Sequence, residues 1–138
     1  MTAMRGRVLV VDDNAMNVDL VSFLLVEAGF AVETASDAGQ ALASIALAQP
    51  DLILMDIQMP GMDGVELTRR LKADPATRHI RVVAFTAYAM KGDEAKLRAA
   101  GCDGYLSKPI EVATCAAKVA SFLEPKPPFA FTRSESHS

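Results

Sequence analysis

Five polar side chains of the sequence are of the types that bind a divalent cation and receive a phosphoryl group. They are three carboxylates, a hydroxyl and an ammonium, at Asp12, Asp13, Asp56, Thr86 and Lys108. Hard oxygen ligands with no His or Cys beside them favour Mg²⁺ or Mn²⁺ over Zn²⁺. Such a cation keeps positions open for phosphate oxygens, while the ammonium and the hydroxyl offer a charge and a hydrogen-bond donor to a phosphoryl group. One carboxylate is then available as a nucleophile that forms an aspartyl-phosphate.

This chemistry requires the side chains to meet, and the hydropathy pattern predicts elements that bring them together. Apolar runs of strand length alternate with amphipathic runs of helix length. The predicted strands are residues 8–11, 31–35, 51–55, 81–85 and 103–107. The predicted helices are residues 14–28, a segment from a cap at Ser36 or Asp37 to about residue 48, and residues 65–73, 91–100 and 111–123. Five βα units indicate an α/β fold, a single domain with a doubly wound parallel sheet and helices on both faces.

The chemically interesting residues follow the carboxyl ends of four predicted strands. Asp12 and Asp13 follow the first strand, Asp56 the third, Thr86 the fourth and Lys108 the fifth. Open α/β sheets bind ligands at this edge, so we expect these side chains to converge there. A lone aspartate after a strand is usually a helix cap or a turn residue, and a lone threonine or lysine is uninformative. Converging carboxylates repel one another, which a raised pKa, a cationic side chain or a bound metal can relieve.

The composition excludes several classes of protein. At 51% hydrophobic residues, the chain is not disordered throughout. A net charge of -3 and a pI near 5.3 argue against a nucleic-acid partner. No apolar run is long enough to cross a bilayer, so we expect no membrane partner. Cys102 and Cys115 form neither a disulfide framework nor a zinc spacing, which predicts reduced thiols and a cytoplasmic location.

Two further groups of residues are interpreted as structural. Arg69, Arg70 and Lys72 are predicted to form a solvated basic face of the third helix. Gly61 and Gly64 are typical of a turn and of a tight entry from a loop into a helix. Neither group is assigned a role in the chemistry.

Five motifs resemble those of the receiver domains of two-component response regulators. They are residues 10–14, 51–56, 59–64, 86–87 and 105–110. The resemblance covers residues 7–123 and implies a flavodoxin-like sheet with strand order 2-1-3-4-5. Residues 87–94 are similar to stand-alone receivers of the cell-cycle type and to receivers of hybrid kinases. Residues 1–6 are then an N-terminal lead, and residues 124–138 a Pro-rich tail or linker stub that we expect to be disordered.

The resemblance assigns the residues that handle the phosphoryl group. It implies that Asp56 is the phosphoacceptor. Lys108 would pair with Asp56 at rest and with the phosphoryl group after transfer, aimed by a cis peptide bond at Pro109. Thr86 would donate its hydroxyl, and Ala87 its backbone N–H, to the phosphoryl oxygens.

The resemblance also assigns ligands for Mg²⁺. Asp13 would bind the cation directly, and Asp12 would hold it largely through water. The phosphoacceptor Asp56 and the backbone carbonyl of Gln58 would complete the protein ligands.

A switch and a set of partners follow from the same resemblance. Thr86 would move towards the phosphoryl group, Tyr105 would fill the space it leaves, and the nearby surface would change its affinity for a downstream protein target. The phosphoryl donor would be a sensor histidine kinase or a histidine phosphotransfer protein. Exposed members of the first helix, among Met16, Val18 and Leu20, could dock that donor.

Three functions remain open at this point. The first is a phosphorylation-controlled binding module, which would not be an enzyme because its self-phosphorylation is stoichiometric. The second is a receiver fragment of a larger hybrid kinase or effector-bearing regulator. The third is a haloacid-dehalogenase-like phosphatase, which needs a second Asp two residues after its nucleophile, where this chain has Gln58.

Overall fold

The architecture was examined in a computed structural model, which describes residues 6–57, 64–86, 91–107 and 110–123. In this part of the chain the strands are β1 (Arg7–Val11), β2 (Ala31–Ala35), β3 (Leu52–Asp56), β4 (Arg81–Thr86) and β5 (Gly104–Ser107). The helices are α1 (Ala15–Glu27), α2 (Ala38–Leu47), α3 (Gly64–Ala73), α4 (Lys91–Ala100) and α5 (Cys115–Leu123). The strands pair in parallel in the order β2-β1-β3-β4-β5. The predicted fold class and strand order are confirmed.

The sheet has an apolar core on each face. All five residues of β3 are buried, as expected for a central strand covered on both sides. Side chains alternate along each strand, so Leu9 and Val11 join one cluster while Val8 and Val10 join the other. The first cluster includes residues of α2, α3 and α4, and the second includes residues of α1 and α5. The sheet therefore lies between two layers of helices.

The ends of α1 follow local rules that the sequence displays. The side chain of Asn14 caps the helix by accepting a hydrogen bond from the backbone N–H of Asn17 at 3.1 Å. At the other end Gly29 has a φ of 101° and donates to the carbonyl of Val26 at 3.0 Å. Phe30 donates to the carbonyl of Leu25, also at 3.0 Å, which completes a Schellman motif. The left-handed φ explains why a glycine ends this helix.

Two predicted strands end one residue later in the structure. Asp56 is the last residue of β3 and pairs with Phe85, and Thr86 is the last residue of β4 and pairs with Ser107. The backbones of both residues are therefore held by the sheet. Polar residues at the end of an apolar run look like loop residues, although nothing prevents them from continuing the ladder.

The last helix begins later than predicted, at Cys115. A turn precedes it, in which the backbone N–H groups of Thr114 and Cys115 donate to the carbonyl of Glu111 at 3.2 and 2.9 Å. The Glu111 carboxylate accepts from the Thr114 hydroxyl and from the Lys118 ammonium, both at 3.0 Å. These hydrogen bonds lower the pKa of Glu111, the one to Lys118 contributing most. The predicted start of this helix is thus a separate turn, which the Glu111 side chain joins to the first turn of α5.

The predicted solvated basic face of α3 is wrong for one of its members. The Lys72 ammonium donates to the carbonyls of Arg78 and Ile80 at 3.1 and 2.7 Å and to the Asp103 carboxylate at 2.9 Å. The same Asp103 oxygen accepts the backbone N–H of Val82 at 2.8 Å. Lys72 thus joins α3 to the start of β4 and to the turn before β5. The other two basic residues of the predicted face are exposed.

Most of the predicted N-terminal lead, at residues 1–5, and all of the predicted tail, at residues 124–138, lie outside the described residues. Within the part of the chain that is described, no helix combines the length and the apolar character needed to cross a membrane.

Candidate functional site

The site lies at the carboxyl edge of the sheet, where β1 and β3 end side by side. These strands pair with Val11 opposite Met55, so Asp12 and Asp56 follow neighbouring positions. Carboxylate oxygens of Asp12, Asp13 and Asp56 all lie within 4.8 Å of one another. Asp12 and Asp56 are 1% and 2% exposed, whereas Asp13 is exposed. The structure therefore brings together the three carboxylates that the sequence predicts to converge.

The carboxylate of Asp12 is oriented by the start of α1. One oxygen, Oδ1, accepts the backbone N–H of Asn14 at 2.9 Å. The other, Oδ2, accepts the side-chain amide of Asn17 at 3.4 Å. The backbone N–H of Asp12 donates to the carbonyl of Ala35 at 3.0 Å, which ties the residue to the end of β2. Sequence reasoning missed both asparagines as partners of Asp12, although Asn14, at the start of the predicted helix, is of a type that is common at an N-cap.

The backbone of Asp56 is closely approached by the first residue of α3. A Cβ added to Gly64 would lie 2.5 Å from the carbonyl oxygen of Asp56 and 3.0 Å from the Cα of Ile57. The backbone N–H of Gly64 donates to the carbonyl of Ile57 at 3.3 Å. Only glycine lets α3 begin this close to the end of β3. Gly64 thus forms the tight entry into the helix that was predicted for it, and it lies against the backbone of Asp56.

Thr86 and Tyr105 lie on one face of the sheet beside this edge. Ala84 pairs with Tyr105 across β4 and β5, and Thr86 follows two residues later on the same face of β4. Tyr105 packs with Ala84 in the core cluster beneath the helices α2, α3 and α4. Thr86 is 3% exposed and Tyr105 is 7% exposed. The two residues of the predicted switch are therefore both buried on this face of the sheet.

The structure does not describe the remaining predicted site residues. Gln58, Ala87, Lys108 and Pro109 lie outside the described residues, as does Gly61. Their assigned roles are taken up below as proposals.

The donor set fits Mg²⁺. It consists of three carboxylates with no His or Cys, which suits a hard cation. Oxygens bound to one Mg²⁺ at about 2.1 Å lie at most about 4.2 Å apart. A spread of up to 4.8 Å is therefore compatible with direct contact from some of these carboxylates and contact through water from another. Asp12, which already accepts two hydrogen bonds, is suited to the water-mediated position, and the exposed Asp13 to direct contact.

Known proteins are similar to this chain in both sequence and structure. The sequence matches the response regulator receiver domain family over residues 8–120. It is 43% identical over 116 residues to the polar-differentiation response regulator DivK of Brucella anthropi, covering 84% of this chain and 94% of that protein. It is 42% identical over 120 residues to DivK of Brucella abortus, covering 87% of this chain and 98% of the relative.

Solved structures agree with this assignment. The chemotaxis response regulator CheY4 of Vibrio cholerae superposes with a TM-score of 0.81 at 30% identity, over 87% of this chain and 99% of that one. The receiver domain of a signal transduction histidine kinase from Syntrophus aciditrophicus gives a TM-score of 0.78 at 30% identity, over 96% of this chain and 97% of that one. The site at the carboxyl edge, the strand order and these matches agree: the chain belongs to the response regulator receiver domain family and is a receiver domain of two-component signalling.

Proposed function

We propose that the chain accepts a phosphoryl group on Asp56 from a phosphohistidine, with Mg²⁺ held by Asp12, Asp13, Asp56 and the carbonyl of Gln58. The observation that carries the proposal is the gathering of three carboxylates within 4.8 Å at the carboxyl edge of the sheet. When bound, Mg²⁺ supplies positive charge that offsets the charge of the carboxylates and of the phosphoryl oxygens. Membership of the receiver family favours this function over the phosphatase alternative.

Asp56 is the best placed nucleophile of the three. Its backbone is fixed by pairing in the central strand and by the close approach of Gly64. Asp12 is engaged by α1 on both oxygens, and Asp13 is exposed. In the transfer, a carboxylate oxygen of Asp56 forms a bond to phosphorus as the bond from phosphorus to the donor imidazole nitrogen breaks. The electron pair of that bond stays on the imidazole.

Three other groups are assigned to the phosphoryl oxygens on the strength of the family. Thr86 donates its hydroxyl, Ala87 its backbone N–H, and Lys108 its ammonium, oriented by the peptide bond before Pro109. A buried hydroxyl at the end of β4 supports the part assigned to Thr86, because β4 lies beside the strand that carries Asp56. Fixed donors around a developing charge are an effective way to stabilise phosphoryl transfer.

The output is a change in protein binding through Thr86 and Tyr105. Both lie on one face of adjacent strands, so a displacement of Thr86 towards a phosphoryl group changes the packing available to Tyr105. Phosphorylation adds charge at this edge and shifts the population between two packings. The surface that would respond includes α4, β5 and α5, and its partner is a downstream protein target.

The phosphoryl donor is a sensor histidine kinase or a histidine phosphotransfer protein, and α1 is suited to receive it. Met16, Leu20 and Phe23 follow at helical spacing and are 81%, 38% and 62% exposed. Val21, by contrast, is buried in the core. An exposed apolar stripe that starts one turn from the carboxylates fits a helical donor that must bring its phosphohistidine to Asp56.

The proposal includes a domain assignment and a place of action. The receiver domain occupies residues 7–123, between a lead at 1–6 and a tail at 124–138. It acts in the cytoplasm as a stoichiometric phosphoryl acceptor and not as an enzyme. Reduced thiols fit that compartment, and Cys102 and Cys115 are both free and buried.

The test is phosphorylation by acetyl phosphate and Mg²⁺, followed by intact-mass measurement. We expect the wild type to gain one phosphoryl group and Asp56→Asn to gain none. Asp51→Asn is the matched control: Asp51 immediately precedes the same strand, at the opposite edge of the sheet, where it accepts the backbone N–H of Arg7 at 2.8 Å. It should be labelled like the wild type. Labelling of Asp56→Asn, or no labelling of the wild type, would contradict the proposal.

A further inference from the structure

The start of α1 has an ordinary side-chain cap but differs from a capping box in its second hydrogen bond. In a capping box, the side chain three residues after the cap accepts a hydrogen bond from the backbone at the helix start. The helix α2 follows a form of this pattern, since Gln40 accepts the backbone N–H of Ser36 at 2.9 Å. In α1 the equivalent acceptor is the carboxylate of Asp12, which takes the backbone N–H of Asn14.

Because Asp12 accepts the backbone N–H of Asn14, the side chain of Asn17 is available to act as a donor. Its amide nitrogen lies 3.4 Å from Oδ2 of Asp12, the oxygen that Asn14 does not engage. Two donors on two oxygens define the rotation of the Asp12 carboxylate. One donor is a backbone N–H, which any residue other than proline supplies, while the other depends on the side chain at position 17.

We infer that Asn17 is a positioning residue for the divalent cation, acting through Asp12. The inference rests on the proposed cation site. Partners that orient the groups around a bound metal commonly contribute about ten- to hundredfold to metal affinity. Asp12 is assigned contact with the cation through water, which limits what its partner contributes. A hydrogen bond of 3.4 Å is longer than the usual 2.9–3.0 Å, so we expect an effect at the lower end of that range, about tenfold.

The neutral amide of Asn17 suits this role. Asp12 is 1% exposed, and the polar atoms of a buried side chain need hydrogen-bond partners. A lysine or arginine at position 17 would supply a donor, but its charge would compete with the cation for the same carboxylate. A neutral amide supplies the donor and leaves the charge of the site unchanged.

The effect on the cation can be separated from an effect on the helix. The cap of α1 is formed by the side chain of Asn14 and the backbone N–H of Asn17, at 3.1 Å. Replacing the Asn17 side chain leaves both of those groups in place, and alanine is a good helix former. Replacing the Asn14 side chain removes the cap but leaves its backbone N–H on Asp12.

The experiment measures Mn²⁺ dissociation constants by electron paramagnetic resonance, and thermal midpoints in a chelator, for four proteins. These are the wild type, Asn17→Ala, Asn17→Gln and Asn14→Ala. We expect Asn17→Ala to weaken Mn²⁺ binding about tenfold without lowering the metal-free midpoint, and the Gln variant, which keeps an amide, to recover most of the affinity. Asn14→Ala should lower the midpoint and leave Mn²⁺ affinity within about twofold.

Two results would overturn the inference. One is Mn²⁺ affinity of Asn17→Ala within twofold of a wild type that itself binds the ion. The other is a loss of Mn²⁺ affinity in both Asn17→Ala and Asn14→Ala that is proportional to the fall in their thermal midpoints. If the wild type bound no Mn²⁺, the proposed cation site would fail together with the inference, which distinguishes that outcome from failure of the inference alone.

Discussion

The two edges of the sheet both carry aspartates at the ends of strands, but in different surroundings. At the amino edge, Asp51 and Asp103 accept the backbone N–H groups of Arg7 and Val82, both at 2.8 Å. Asp103 also pairs with the Lys72 ammonium. At the carboxyl edge, three carboxylates lie within 4.8 Å of one another. Aspartates that each complete a separate backbone interaction stabilise the fold, whereas aspartates placed together are suited to bind a cation and repel one another.

The largest effect is expected when one carboxylate is removed from the cluster at the carboxyl edge. Asp13→Asn is expected to weaken Mg²⁺ binding by at least about a hundredfold, or about 2.7 kcal/mol, because a direct ligand is lost. It should also raise the metal-free free energy of unfolding by about 0.5–1 kcal/mol, because repulsion between carboxylates is relieved. Calorimetric titration and urea unfolding measure the two effects. Unchanged Mg²⁺ affinity would show that Asp13 is not a ligand.

A second change tests how closely α3 supports the carboxyl edge. In Gly64→Ala, the new Cβ would lie 2.5 Å from the carbonyl oxygen of Asp56, so the end of β3 or the start of α3 must move. We expect the free energy of unfolding to fall by about 2 kcal/mol and acetyl-phosphate labelling to slow. Gly39→Ala is the control, because its Cβ would approach only an Asp37 side-chain oxygen, at 3.4 Å. Equal effects of the two variants would contradict the account.

A third change removes hydrogen bonds at the amino edge instead. Lys72→Met removes three hydrogen bonds and leaves Asp103 with the backbone N–H of Val82. The expected loss is about 1–2 kcal/mol of the free energy of unfolding, with Mg²⁺ affinity unchanged. The exposed neighbour Arg70 offers a matched control, and Arg70→Met should change stability by less than about 0.5 kcal/mol. A weakened Mg²⁺ affinity in Lys72→Met would show that the two edges are coupled.

The smallest expected effect concerns alkaline pH at the same edge. Burial raises the pKa of the Cys102 thiol from 9.0 to about 11. Since the folded protein holds this proton more tightly than the unfolded chain, its stabilisation is present below pH 9 and is lost as the pH rises towards 11. We expect the free energy of unfolding to fall by about 1 kcal/mol between pH 8 and pH 10. Cys102→Ala should remove that part of the pH dependence, and an unchanged profile would contradict it.

The sequence predicted the fold and the gathering of the carboxylates well, for a physical reason. Strands as apolar as β3 can only lie in a sheet covered on both faces, and parallel strands place their carboxyl ends at one edge. Those two facts predict that Asp12, Asp13 and Asp56 meet at this edge. The identity of each element was therefore easier to predict than its ends, as Asp56 and Thr86 show by completing their strands.

What the sequence did not predict depends on side chains that meet only in the folded protein. Lys72 looks like its exposed neighbours, and its partners come from Arg78, Ile80 and Asp103, up to 31 residues away. Asn17 lies only five residues from Asp12, yet its contact depends on which oxygen the Asn14 backbone leaves available. Choices between alternative acceptors are decided by geometry and have no pattern in the residue order.

The central claim is that the carboxylate of Asp56, and neither of its two neighbours, accepts the phosphoryl group. The most direct measurement is borohydride reduction of the protein after treatment with acetyl phosphate and Mg²⁺, followed by peptide mass spectrometry. Reduction converts an aspartyl-phosphate to homoserine and so marks the acceptor. The account predicts homoserine at position 56 alone, in a Mg²⁺-dependent amount. Homoserine at position 12 or 13, or a labelled protein with no homoserine, would contradict it.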